Sequence, residues 1–141
     1  MDGQPDASGK HWFEAHTSEV ELHASAPTLE QLFVEAGLGL AELLADERSG
    51  PHGELEAVDV EAADREALLV DWLNELIFRT ETRHSVYDEL RIDSFSDRRL
   101  RAQIRGVVPA GWRTAVKAAT FHRLRIGREG GLYVARVVLD V

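Results

Sequence analysis

Residues 19–44 read EVELHASAPTLEQLFVEAGLGLAELL, and the spacing of their apolar side chains changes once, at Ala26 and Pro27. Before the break, Val20, Leu22 and Ala24 alternate with Glu19, Glu21 and His23, the period of two that marks a half-buried strand. After it, Leu29, Leu32, Phe33, Ala36, Leu40, Leu43 and Leu44 recur at helical spacing. Thr28 can accept from a free first-turn N–H, and Gln31 completes a capping-box start. A strand thus leads into a helix that ends near Ala45. Gly37 and Gly39 lie inside that helix at about 1 kcal/mol each relative to Ala, which predicts a close neighbour on their face.

Working outward, 11–25 reads as one extended segment. A short strand is expected over 54–62, with Val58 and Val60 inward. Asp64 can cap a second helix whose apolar stripe is Leu68, Leu69, Trp72, Leu73, Leu76 and Ile77. From Ser85 the texture is β: Val86, Leu90 and Ile92 suggest one strand, and Leu100, Ala102, Ile104 and Gly106 another. VVPAGWR reads as a loop. Strands over 114–126 and 132–141 follow, with Gly130 and Gly131 able to take the positive φ angles of a hairpin turn. Two helices interrupting a largely antiparallel sheet, and packing on one face of it, give a two-layer α+β domain over 11–141. Residues 1–10 read as a disordered polar tail.

The chain has 141 residues, enough for one domain with a core, of which 44% are hydrophobic and 29% charged. No apolar run approaches the roughly 20 residues needed to cross a bilayer. With no cysteine there is no disulfide, thiolate zinc site or cysteine nucleophile, and a cytoplasmic address is expected. The 25 acidic residues outweigh 16 basic ones, giving a net charge of −9. Tight autonomous RNA binding normally needs a basic surface, so it is not expected here. G-x-S-x-G, P-loop and H-E-x-x-H patterns are missing.

Several strings, in this order, resemble the archease family. FEAHTSEVELHA is similar to its opening F-x-x-H-T-A-D-V motif, and TLEQLFVEAGLGLAELLAD to its first helix. LLVDWLNELIFRTE resembles the second helix, and KAATFHRLRI with YVARVVLDV the last two strands. The resemblance runs from Trp12 to Val141. It departs from the family in two places. Glu19 stands where the family has Asp, and the loop after Gly106 is short and lacks a Gly-Glu pair and a later His.

The resemblance implies a non-enzymatic helper of the RtcB-type GTP-dependent RNA ligase in tRNA splicing or RNA repair. It also implies a divalent cation, typically calcium, between Glu19 and Asp140, with oxygens of Val141 adding to the set. Hard cations take several oxygen ligands, and clustered carboxylates repel one another unless neutralised. Read from the residues alone, Glu19 and Asp140 are equally solvated charges at strand ends. Two further readings stay open: a small metal-dependent hydrolase using the same acidic cluster, and a general chaperone or assembly module.

Contacts to the ligase or a phosphate are expected at Lys117, His16 and His122. His16 could orient a carboxylate through its ring N–H, or simply be a packed strand histidine. In a regular strand His122 shares the parity of Val116, Ala118, Leu124 and Ile126, which favours a core histidine. Lys117 has the opposite parity, so the two share a site only if a bulge intervenes. Alternation sets Arg99, Arg101 and Arg105 on one strand face, and Arg123 with Arg125 on another, as solvated faces or a docking stripe. Trp72 is expected in the core, Trp12 over the first strand, and Trp112 in the loop as a contact residue.

Overall fold

The period-two alternation of residues 19–26 is realised as a strand in a computed structural model, which describes residues 9–46 and 48–141. In chain order the elements are β1 (Lys10–Ala15), β2 (Glu19–Ala26), α1 (Leu29–Leu44), β3 (Glu56–Glu61) and α2 (Arg65–Arg83). They continue with β4 (Val86–Phe95), β5 (Arg99–Val107), β6 (Ala118–Ala119), β7 (Arg125–Glu129) and β8 (Leu132–Asp140). The expected tail falls largely on residues 1–8, outside the described residues, and Lys10 already opens β1.

Every strand pair is antiparallel, as expected, but the strands form two sheets. One has the order β1-β2-β8-β6, with β7 also on β8, and the other has the order β3-β5-β4. The extended segment 11–25 is two strands, not one. It folds back at His16-Thr17-Ser18, where the His16 N–H donates to Glu19 O at 2.8 Å, and β1 then pairs with β2 from Ala15↔Val20 to Lys10↔Ser25. Hydroxyl-bearing residues suit such a turn because they offer the backbone local partners.

Both helices begin as their caps dictate. Thr28 Oγ1 accepts from Gln31 N at 3.2 Å, and Asp64 Oδ1 from Ala67 N at 2.8 Å. α1 packs against β2 of one sheet and β4 of the other, so it spans their junction. The two glycines explain how it comes so close. A Cβ on Gly37 would lie 2.5 Å from Leu90 Cδ1 of β4, and one on Gly39 would lie 2.6 Å from Leu22 Cδ1 of β2. Beside Gly37, Trp72 is fully buried and donates its indole N–H to Phe33 O at 2.9 Å, tying α2 to α1. Val58 and Val60 face inward, as expected.

The largest correction concerns 114–126, which is not a continuous strand. Before Arg125 only Ala118 and Ala119 of this stretch pair with β8, opposite Asp140 and Leu139. Asn74 of α2 holds Ala119 at both backbone groups, accepting from its N–H at 2.8 Å and donating to its carbonyl at 3.1 Å. The chain then leaves the ladder and re-enters at Arg125↔Arg136. Five residues, 120–124, therefore oppose only 137 and 138, and an odd number of extra residues reverses the inward parity. Thr120 marks the exit: its N–H and its hydroxyl both donate to Val138 O, at 3.0 and 2.9 Å, and the hydroxyl accepts from His122 N at 3.3 Å, a local side-chain bond that turns the chain off the ladder. Arg123 takes φ 50° there. Gly130 and Gly131, at φ 57° and 83°, make the expected hairpin turn into β8. Among the described residues no helix is long and apolar enough to cross a membrane.

Candidate functional site

The five-stranded sheet has one face on the helices and one facing out. On β2, Val20, Leu22, Ala24 and Ala26 are buried in the core, so Glu19, Glu21 and His23 stand on the outer face. Antiparallel register decides what joins them. Asp140 lies opposite Glu19, Arg136 opposite His23, Glu14 opposite Glu21 and Trp12 opposite His23. Directly opposite residues share a face, so one acidic strip crosses three strands.

Arg123 ties this strip together from the excursion. Its Nη2 donates to Glu19 Oε2 at 3.2 Å and to Glu21 Oε2 at 3.3 Å. The His16 ring nitrogen Nε2 lies 2.8 Å from the same Glu21 oxygen. Glu21 is thus almost sealed from solvent yet remains a carboxylate. The hydrogen bond from His16 holds its pKa below the usual value, with Arg123 and His23 adding to the effect against the opposing pull of burial. The other oxygen, Oε1, lies 3.3 Å from His23 Nε2, which is also 3.8 Å from Glu14 Oε1. Donor atoms of Glu14, Glu21 and His23 lie within 4.8 Å of one another, so this Glu/Glu/His cluster could bind a metal.

The residues singled out in the sequence are placed as follows. Glu19 and Asp140 are neighbours at one end of the sheet. Val141 follows directly, its N–H donating to Ser18 O at 3.2 Å, and the Lys117 N–H donates to Asp140 O at 2.8 Å. These four belong to one locality. His16 joins it through Glu21. His122 sits in the excursion with an exposed side chain, not in the core position that strand parity favoured. The parity argument separating it from Lys117 fails because the strand it assumed is interrupted. Glu14, Glu21, His23 and Arg123 were missed as site residues. Alternation along β2 could have grouped Glu21 and His23 with Glu19, whereas Glu14 requires the hairpin and Arg123 the excursion.

The expected arginine stripe on β5 is paired. Arg99 binds Asp59 at 3.0 and 2.7 Å and Arg101 binds it at 3.3 Å, which holds the Asp59 carboxyl down to about 2. Arg105 lies 3.4 Å from Glu89. Arg123 and Arg125 do not share a strand face: Arg123 leaves the ladder for the acidic strip, and Arg125 pairs with Glu129 at 2.9 Å. Trp12 stacks on the His23 ring at 5.1 Å and 8°, and Trp112 is exposed beside a cavity of about 510 Å³ lined by Leu44, Ile77 and Val116.

Comparison with known proteins gives a consistent result. A model described as "Archease protein family (MTH1598/TM1083)" matches residues 12–141. The archease of Methanothermobacter thermautotrophicus is 34% identical over 131 residues, covering 89% of this chain and 94% of that one. The archease of Methanopyrus kandleri is 32% identical over 139 residues, covering 89% and 95%. The solution structure of Methanobacterium thermoautotrophicum protein 1598 superposes with a TM-score of 0.76 at 33% identity, covering 93% of this chain and 98% of that one. A crystal structure of an archease from Thermotoga maritima, at 23% identity, shares the fold with a TM-score of 0.68, covering 89% and 93%.

Proposed function

This chain belongs to the archease family, and from that premise we propose that it is an accessory protein of an RtcB-type GTP-dependent RNA ligase. In this role it promotes ligase guanylylation and repeated turnover in tRNA splicing or RNA repair. The observation that supports the reading is the register Glu19↔Asp140, which brings an acidic pair from opposite ends of the chain to one outer face.

The donors present fit a hard divalent cation. Glu19 and Asp140 offer carboxylate oxygens and Val141 a main-chain oxygen, the ligand type that calcium takes. Bound there, the cation would neutralise the clustered carboxylates and offer open coordination positions to a partner. The residues of the chain do the rest. The Lys117 backbone N–H holds the Asp140 carbonyl, and Val141 is tethered to Ser18, which together fix the strand end. Arg123 occupies one oxygen of Glu19 and keeps the acidic strip compact when no cation is present. The side chains of Lys117, His16 and His122 provide polar contacts to the ligase or to an RNA phosphate. A chain of net charge −9 meets RNA through its partner, with its acidic face docked at the metal-dependent active site of the ligase.

The test mixes this chain with its cognate ligase, GTP and RNA bearing 3′-phosphate and 5′-hydroxyl ends. Multiple turnover should rise with added protein. No gain at any ratio overturns the reading. Phosphatase or nuclease activity without ligase, lost in Asp140→Ala, would favour a metal-dependent hydrolase instead.

A further inference from the structure

Beside the Glu19 and Asp140 pair, the outer face carries donors of a different kind. His23 Nε2 is buried and has no hydrogen-bond partner among the described residues, although Glu21 Oε1 is 3.3 Å away. A buried ring nitrogen is normally satisfied, so this one is an unmet demand. Its surroundings hold it in place. The Trp12 indole stacks on the ring, and β2 and β8 fix the backbone beneath it. The cations nearby are engaged elsewhere: Arg136 donates to Arg123 O at 2.9 Å, and Arg125 pairs with Glu129.

We propose that His23 Nε2, Glu21 Oε1 and Glu14 Oε1 form a second metal site, selective for a borderline divalent ion of the zinc class. Three observations support it. A tetrahedral ion with bonds of about 2.0 Å separates its ligands by about 3.3 Å, the distance found between His23 Nε2 and Glu21 Oε1. Glu14, on the edge strand β1 with an exposed side chain, has only a short way to close from 3.8 Å. Glu21 is oriented from behind, because His16 and Arg123 both hold Oε2 and leave Oε1 toward His23. Such outer-sphere hydrogen bonds fix a ligating carboxylate. An imidazole with two carboxylates suits zinc, cobalt or nickel, whereas calcium prefers all-oxygen sets. Three protein ligands leave a fourth position for water or for a side chain of a partner. The site does not depend on the ligase reading.

Titration calorimetry of the untagged full-length chain tests it, with zinc chloride added in the presence of excess calcium. One zinc ion per chain is expected, at a micromolar Kd. Glu14→Gln and His23→Gln should each weaken binding roughly tenfold or more. Asp59→Asn, on the three-stranded sheet, should leave the zinc affinity unchanged. Cobalt should give the visible absorption of a tetrahedral complex, and nickel should quench Trp12 fluorescence, with both signals lost in His23→Gln. Far-UV circular dichroism checks that the variants fold, and Glu14→Gln, on an exposed edge position, keeps the test decisive if His23→Gln does not. No zinc heat, displacement of zinc by calcium, or variants that bind like the parent would overturn the site.

Discussion

Glu19 of β2 faces Asp140 of β8 in antiparallel register, so residues near the two ends of the chain share one outward sheet face. If this pair holds a hard cation, Glu19→Ala and Asp140→Ala should each lower calcium affinity by about tenfold or more, since each removes a charged ligand. Both should also reduce ligase stimulation. Calorimetry with calcium and the turnover assay check the two effects separately. Variants that stimulate the ligase as the parent does would remove the pair from the mechanism.

Arg123 competes for one of these oxygens. Its guanidinium lies 3.2 Å from Glu19 Oε2 and is about half exposed, where an ion pair is worth roughly 1 kcal/mol or less. Arg123→Gln should therefore tighten calcium binding by about two- to fivefold, read by calorimetry at low salt. The gain should shrink as ionic strength rises. Weaker binding in the variant would mean that Arg123 organises the site and does not compete for it.

His11 of β1 is clasped by two carboxylates of α1, Glu35 at Nδ1 and Glu42 at Nε2. Burial pulls its pKa down, but hydrogen bonds and charge from Glu35 and Glu42 outweigh this and raise it above 6.5, while the hydrogen bond from His11 lowers that of Glu42. A raised histidine pKa gives stability that is full below 6.5 and lost as pH rises through the folded value. A lowered glutamate pKa gives stability that is lost as pH falls below 4.5 through the folded value. The clasp should therefore be strongest between about pH 4.5 and 6.5. Urea unfolding should show His11→Gln less stable than the parent by about 1 kcal/mol at pH 5.5, with the gap narrowing by pH 8.5. A gap that widens with pH would refute the assignment.

Gly39 should resist substitution more than Gly37. A Cβ at Gly39 would press on Leu22 Cδ1, in a fully buried side chain, and lie 3.1 Å from His11 Cγ. At Gly37 the 2.5 Å neighbour is the tip of Leu90, which is only partly buried and can turn away. The gain in helix propensity is about 1 kcal/mol at both sites. Gly39→Ala is expected to be destabilising by about 1–2 kcal/mol net, through overpacking, and Gly37→Ala to be close to neutral. Denaturant midpoints for the two variants decide the order.

The local elements were legible because their causes are local. Thr28 and Asp64 start their helices through bonds to residues three positions on, and the apolar stripes of both helices are buried as their periods required. The two glycines of α1 announced a close neighbour without naming it. Misreadings arose where a side chain far away, or a hydroxyl competing for the backbone, set the path. Thr120 and Asn74 help decide that 114–126 is a two-residue strand, an excursion and the start of β7, and no apolar period records either bond.

By itself the sequence determined the helices, the inward faces of most strands, the family and the identity of the acidic residues at each end, since periodicity, capping and motif order are properties of neighbours along the chain. The tertiary structure decided which outward groups meet. Register across β1, β2 and β8 set Glu14 beside Glu21 and Glu19 beside Asp140, and three extra residues before β7 delivered Arg123 to both. Such pairings depend on how strands align across the sheet, and one added residue in a connecting segment would change them while every local pattern stayed the same.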